Sequence, residues 1–100
     1  MHFRELHYFI VLAETLDSSE AAHRNGITRQ TLTTAIRRLE SEAGGALVVK
    51  TPAGLRLTPA GNELHYHAKR LLRLRDDALR AVREADESAA VLPPDGTPPS

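Results

Sequence analysis

Arg29, Gln30, Thr33, Thr34 and Arg37 carry polar groups at three- and four-residue steps. At about 100° per residue, Gln30, Thr33, Thr34, Arg37 and Ser41 share one side of a helix; Arg29 projects from its first turn and Arg38 flanks the polar side. Side chains of these types can hydrogen-bond to the edges of base pairs, and arginine favours guanine through O6 and N7. Arg29, Gln30, Thr33, Thr34 and Arg37 are therefore the candidate base-reading residues. Thr28, Arg38, Lys50 and Arg56 read better as contacts to the DNA backbone or from a wing, which hold register without specifying sequence. The plain alternative is a solvated polar helix face, and the pattern alone fits both.

The surrounding elements make the first reading stronger. Thr28 is a good N-cap for a helix running to about Ala43, with Leu32, Ala35, Ile36, Leu39 and Ala43 on its buried stripe. Gly44-Gly45 ends it, because glycine tolerates left-handed C-cap geometry. Upstream, Asp17 and Glu20 form a D-x-x-E capping signature for a short helix opening at about Ser18, and Asn25-Gly26 stops it. The small Ala21 and Ala22 allow the next helix to cross closely. The result is a helix-turn-helix, which places its second helix in the DNA major groove. A first helix is predicted over 3–15, with Phe3, Leu6, Ile10 and Ala13 on one face and Tyr8, Val11 and Leu12 on other sides. Residues 46–50 and 55–58 read as two short strands around the turn-forming 51–54, a wing.

Thr58-Pro59 then caps and starts a helix that meets no breaker until about Ser88. Its stripe is Leu64, Ala68, Leu71, Ala78, Leu79 and Val82, with Leu72 at the margin and Arg75 in the middle. So long a helix outruns a small domain, and its stripe asks for a partner, most simply the same helix of a second chain. Arg75 either snorkels to the edge of that seam or pairs with an acid to fix register; an ordinary surface arginine is the other reading. Residues 91–100, VLPPDGTPPS, cannot continue the helix and read as a linker or a disordered, Pro-rich tail.

Composition narrows the classes. The chain has no cysteine, which excludes disulfides, thiolate metal sites and a cysteine nucleophile. No apolar run approaches a membrane span, and the opening MHFRELHYFI is too charged for a secretory signal. With 13 basic and 13 acidic residues the net charge is zero, which counts mildly against nucleic acid. Distribution matters more: Arg29, Arg37 and Arg38 precede the acids of their own helix. His65 and His67 are two apart on a helix, and His2 and His7 five apart, both poor spacings for co-ligands. No metal site, cofactor or catalytic constellation is expected.

Several motifs in fixed order carry a family resemblance. They are F-R-x-L-x-Y-F from Phe3 to Phe9, the Ala21-Ala22 pair, and I-T-x-x-x-L-T-x-x-I-R-R-L-E from Ile27 to Glu40. Gly44, Leu47, Lys50 and L-T-P-A-G from Leu57 to Gly61 follow. Together they resemble the N-terminal DNA-binding domain of LysR-type transcriptional regulators over about residues 3–88; the winged-helix domain of molybdate-responsive regulators is a more distant likeness. The resemblance implies a winged helix-turn-helix followed by a linker helix, with linker helices paired antiparallel in a dimer. Four positions depart from the family pattern. Arg29 stands at the common glutamine, Ser18 at a phenylalanine after the first helix, Asn25 at a leucine, and Val48 at a phenylalanine. The last three lose apolar volume. The family also carries a sensing domain of roughly 200 residues after the linker helix. The chain therefore reads either as a fragment of a longer regulator or as a stand-alone dimer.

The expected fold is mainly α: a winged helix-turn-helix of three helices and a two-stranded wing over 1–58, a dimerising linker helix over 59–88, and a tail over 89–100. The expected function is a non-enzymatic, sequence-specific regulator of transcription. It would bind an inverted-repeat site in double-stranded DNA as a homodimer, in the cytoplasm and at the nucleoid when bound. The alternative is an interaction module that forms mixed dimers with a larger, full-length regulator and blocks it. Neither reading involves a membrane.

Overall fold

The computed structural model describes residues 1–89. The element order is α1 Phe3–Thr15, α2 Ser18–Asn25, α3 Arg29–Ala43, β1 Val48–Thr51, β2 Gly54–Leu57 and α4 Pro59–Ala89. The chain divides into two compact units, Met1–Arg70 and a second beginning at Leu71. The expected Pro-rich tail lies outside the described residues, save its first residue, Ala89, which closes α4.

Each helix of the first unit starts and stops where local chemistry demands. Asp17 Oδ1 accepts the Glu20 backbone N–H at 2.9 Å and caps α2. Thr28 Oγ1 accepts the Thr31 N–H at 3.0 Å and caps α3. These bonds satisfy amides that have no partner inside the helix. Gly26 and Gly44 end α2 and α3 with φ of 66° and 81°, where glycine has no Cβ to clash. Leu16 ends α1 in the same left-handed region at φ 53° without that advantage.

The core lies where α1, α2 and α3 meet. Phe9, Leu6, Leu32 and Leu39 are its largest fully buried members from the helices, and Leu47 closes it from the loop before β1. Ala21 and Ala22 are both buried, as expected of a close crossing. On α1 the buried arc is Leu6, Phe9, Ile10, Leu12 and Ala13, joined by Glu5. Phe3, expected on that stripe, is instead 46% exposed: it is the first residue of α1, at the margin of the buried arc beside Ile10. Leu12, expected on another side, is core. Ala43, expected on the α3 stripe, is exposed at the last residue of its helix.

The wing is an antiparallel pair in the register Val48↔Leu57, Val49↔Arg56, Lys50↔Leu55, Thr51↔Gly54. It is shifted from the expected strands: Ala46 and Leu47 stay outside it, and Thr51 and Gly54 belong to it. Leu47 is held for another task. Its N–H donates to Glu40 Oε2 of α3 at 2.8 Å, and its carbonyl accepts the Thr58 N–H at 3.0 Å. Thr58 Oγ1 in turn donates to the Ala46 carbonyl at 2.6 Å and accepts the Gly61 N–H at 3.0 Å, which caps α4. A Cβ placed on Gly61 would lie 2.0 Å from the Leu47 carbonyl oxygen. Glycine is therefore required where α4 begins. Farther along α4, Lys69 Nζ lies 3.9 Å from Glu14 Oε2 of α1.

Candidate nucleic-acid interface

Burying Leu32, Ala35, Ile36 and Leu39 turns the opposite side of α3 outward. Arg29, Gln30, Thr33, Thr34 and Arg37 are all exposed on it. Arg29 and Arg37 make no ion pair among the described residues, so their guanidinium groups keep their full donor sets. An α-helix presenting such a face fits the major groove of B-form DNA. The surface is a row of unspent donors on a rigid, capped helix.

The four residues assigned to backbone or wing contacts are not one group. The Thr28 hydroxyl donates to Thr31 Oγ1 at 2.9 Å and accepts the Thr31 N–H, so the structure uses it as a cap. Arg38 is exposed, but its Nη1 lies 3.8 Å from Glu5 Oε2. Lys50 and Arg56 are exposed and unpaired among the described residues, yet they lie on opposite faces of the wing. Lys50 pairs with Leu55, and Arg56 with Val49. Successive side chains alternate across a strand, so a single backbone strand cannot meet both from one face.

A groove of about 780 Å³ runs beside α3, where His2, Arg4 and Tyr8 face Gln30, Thr34 and Arg38. The N-terminal end of α1 thus joins the surface, which the sequence pattern of α3 did not reveal. Glu5 is the more telling omission. It is buried on the α1 arc beside Leu6 and Phe9, whereas the expected stripe of Phe3, Leu6, Ile10 and Ala13 leaves it on another side, so its burial follows from the packing of the helices. A smaller cleft of about 180 Å³ lies between α3 and the wing, with Thr33, Arg37 and Glu40 on one side and Val48 and Leu55 on the other. Ser18 also lines it, so two of the positions that lack the family's phenylalanine border one cleft.

The candidate dimer residues are spread unevenly. Ala68 is 0% exposed within the chain itself, so a partner cannot reach it; this corrects its place on the partner seam. Leu64 is half-buried in the first unit, and in the second so are Leu72 and Arg75. Leu71, Ala78, Leu79 and Val82 are exposed in the second unit, and so is Leu74, which the stripe had omitted. Arg75 Nη2 lies 3.1 Å from Asp76 Oδ1, a neighbour on its own helix. Among the described residues no group of His, Asp and Glu comes together to hold a metal ion, and no helix is long and apolar enough to cross a membrane.

Three stacked helices, a two-stranded wing and an outward polar face on the third helix define a winged helix-turn-helix protein. Residues 3–62 match the family described as bacterial regulatory helix-turn-helix protein, lysR family, and the chain belongs to that family as one of its DNA-binding regulator domains. It is 40% identical over 84 residues to the HTH-type transcriptional regulator EstR of Acinetobacter baylyi, covering 84% of this chain and 28% of that protein. It is 37% identical over 83 residues to BudR of Raoultella terrigena, covering 83% of this chain and 29% of the relative. The chain therefore spans less than a third of the length of these relatives. Among solved structures it is similar to the CbnR DNA-binding domain in complex with DNA, with a TM-score of 0.81, 32% identity, and 86% of this chain and 99% of that chain covered. The BenM DNA-binding domain bound to catB site 1 DNA superposes with a TM-score of 0.80 at 27% identity, over 86% of this chain and 97% of that one.

Proposed function

We propose that the chain binds double-stranded DNA sequence-specifically as a homodimer at an inverted-repeat site and so regulates transcription in the cytoplasm. The observation that carries this reading is the exposed face of α3, on which Arg29 and Arg37 have no acidic partner among the described residues. Solved neighbours of the same fold that are complexes with DNA support it. Each subunit inserts α3 into a major groove, and the wing reaches the flanking backbone or minor groove. Arg29, Gln30, Thr33, Thr34 and Arg37 meet base edges, and Arg38, Lys50 and Arg56 meet phosphates. Leu71, Ala78, Leu79 and Val82 of α4 supply the apolar contact between subunits, since their exposure leaves a stripe that a second copy can cover. Two-fold pairing imposes two half-sites separated by whole helical turns.

The test is selection of bound duplexes from a random pool, with the mass of the complex measured alongside. The expected result is an enriched inverted repeat bound by two chains. Enrichment of no sequence by folded protein at low ionic strength would defeat the reading.

A further inference from the structure

Glu5 is the one charged side chain that is buried among the described residues, 6% exposed. Its Oε1 accepts the His2 backbone N–H at 3.3 Å, which fixes the carboxylate at the start of α1. Its Oε2 lies 3.8 Å from Arg38 Nη1, whose side chain is 69% exposed. A carboxylate withdrawn from water needs a compensating cation, and Arg38 is the cation within range. At that separation the contact is an ion pair and not a hydrogen bond, so the guanidinium keeps its N–H donors for a second anion. Both residues line the same groove as Gln30 and Thr34. Arg4 lines it too and makes no ion pair among the described residues, as is also true of Arg29 and Arg37 on α3. Of the three arginines on α3, only Arg38 is matched by an acid.

We propose that Glu5 is an internal competitor for DNA phosphate. It neutralises Arg38 in the free protein and so lowers the sequence-independent part of DNA affinity, leaving discrimination to the unmatched Arg29 and Arg37. Glu5 touches no DNA; it acts through Arg38. The inference rests on the reading that α3 docks on duplex DNA. The physical basis is counterion release: each phosphate met by a free cation steepens the salt dependence of binding, and a cation already paired with a carboxylate contributes little.

The experiment uses the whole chain and a mixed-sequence duplex as probe, titrated between about 50 and 200 mM salt, with thermal melts as a check on folding. Glu5→Gln keeps the acceptor for His2 and removes the charge. It is expected to bind the probe more tightly at low salt and to steepen the slope of log K against log salt by about 0.9, which adds a roughly threefold loss of affinity across that range. Glu5→Gln combined with Arg38→Gln is expected to return to the wild-type slope, because the pair is then neutral again. Glu5→Met, apolar and of similar volume, carries the same expectations and replaces the glutamine variant if that one does not fold. An unchanged or shallower slope in the single variant overturns the proposal, as does a gain that survives in the double variant. Folded wild-type protein that binds no duplex overturns the DNA reading itself, and this one with it.

Discussion

Arg29 is the residue whose identity is most informative. It projects from the first turn of α3 with no acidic partner among the described residues, at a position where the family resemblance leads one to expect glutamine. Arginine can grip guanine through two parallel hydrogen bonds, and such a pair discriminates by about 1–3 kcal/mol against the wrong base. Arg29→Gln is therefore expected to cost roughly tenfold or more at a guanine position of the selected site and to relax preference there; the other positions keep theirs. Binding to a series of single-base variants of that site measures this, and unchanged relative affinities across the series would refute it. At this scale the sequence was legible wherever a side chain acts alone. The outward set Gln30, Thr33, Thr34 and Arg37 follows from helical phase. It was not legible where two elements meet. The pairing of Glu5 with Arg38 spans α1 and α3, and no local pattern links positions so far apart in the chain.

Among the elements, the junction of α3, β1 and α4 governs how firmly the exposed face is held. Gly61 lies against the Leu47 backbone, where a Cβ would be 2.0 Å from the carbonyl oxygen. The obstacle is main chain and cannot rotate away. Gly61→Ala is therefore expected to destabilise the domain by about 3 kcal/mol or more, at the upper end of overpacking costs. Chemical denaturation measures it, and a loss under about 1 kcal/mol would show that α4 shifts freely. The caps were readable in advance because they are local: Asp17 with Glu20, Thr28 with Thr31, and Gly26 and Gly44 at helix ends. The wing boundaries were not. Leu47 reads as a strand residue by its apolar neighbours, but its backbone is taken by Glu40 and Thr58 before it can join a ladder. Phe9 and Leu12 entered the core, and Phe3 did not, because the buried arc of α1 is set by where α2 and α3 press on it.

For the molecule as a whole, the proposed pairing falls to the exposed apolar side chains of α4. Leu79 is 47% and Val82 65% exposed in the second unit, apolar surface that the proposed pairing would take out of water. Replacing both with glutamate, Leu79→Glu and Val82→Glu, is expected to abolish pairing, because each carboxylate would have to be buried without a compensating partner in the apolar contact. Analytical ultracentrifugation then reports 11.0 kDa, and the enriched inverted repeat loses its affinity advantage over a single half-site. A doubled mass in that variant would place the subunit contact elsewhere. Long uninterrupted periodicity made α4 easy to foresee, whereas the burial of Ala68 was not foreseeable, since periodicity cannot tell a seam within a chain from one between chains. Leu47 carries a last implication. Because one residue ties the Glu40 side chain of α3 to the start of α4 through both its amide and its carbonyl, a twist at the root of α4 is expected to pull on α3 as well. If α3 meets DNA as proposed, the linkage offers a route by which a mechanical input at that point would reach the bound site.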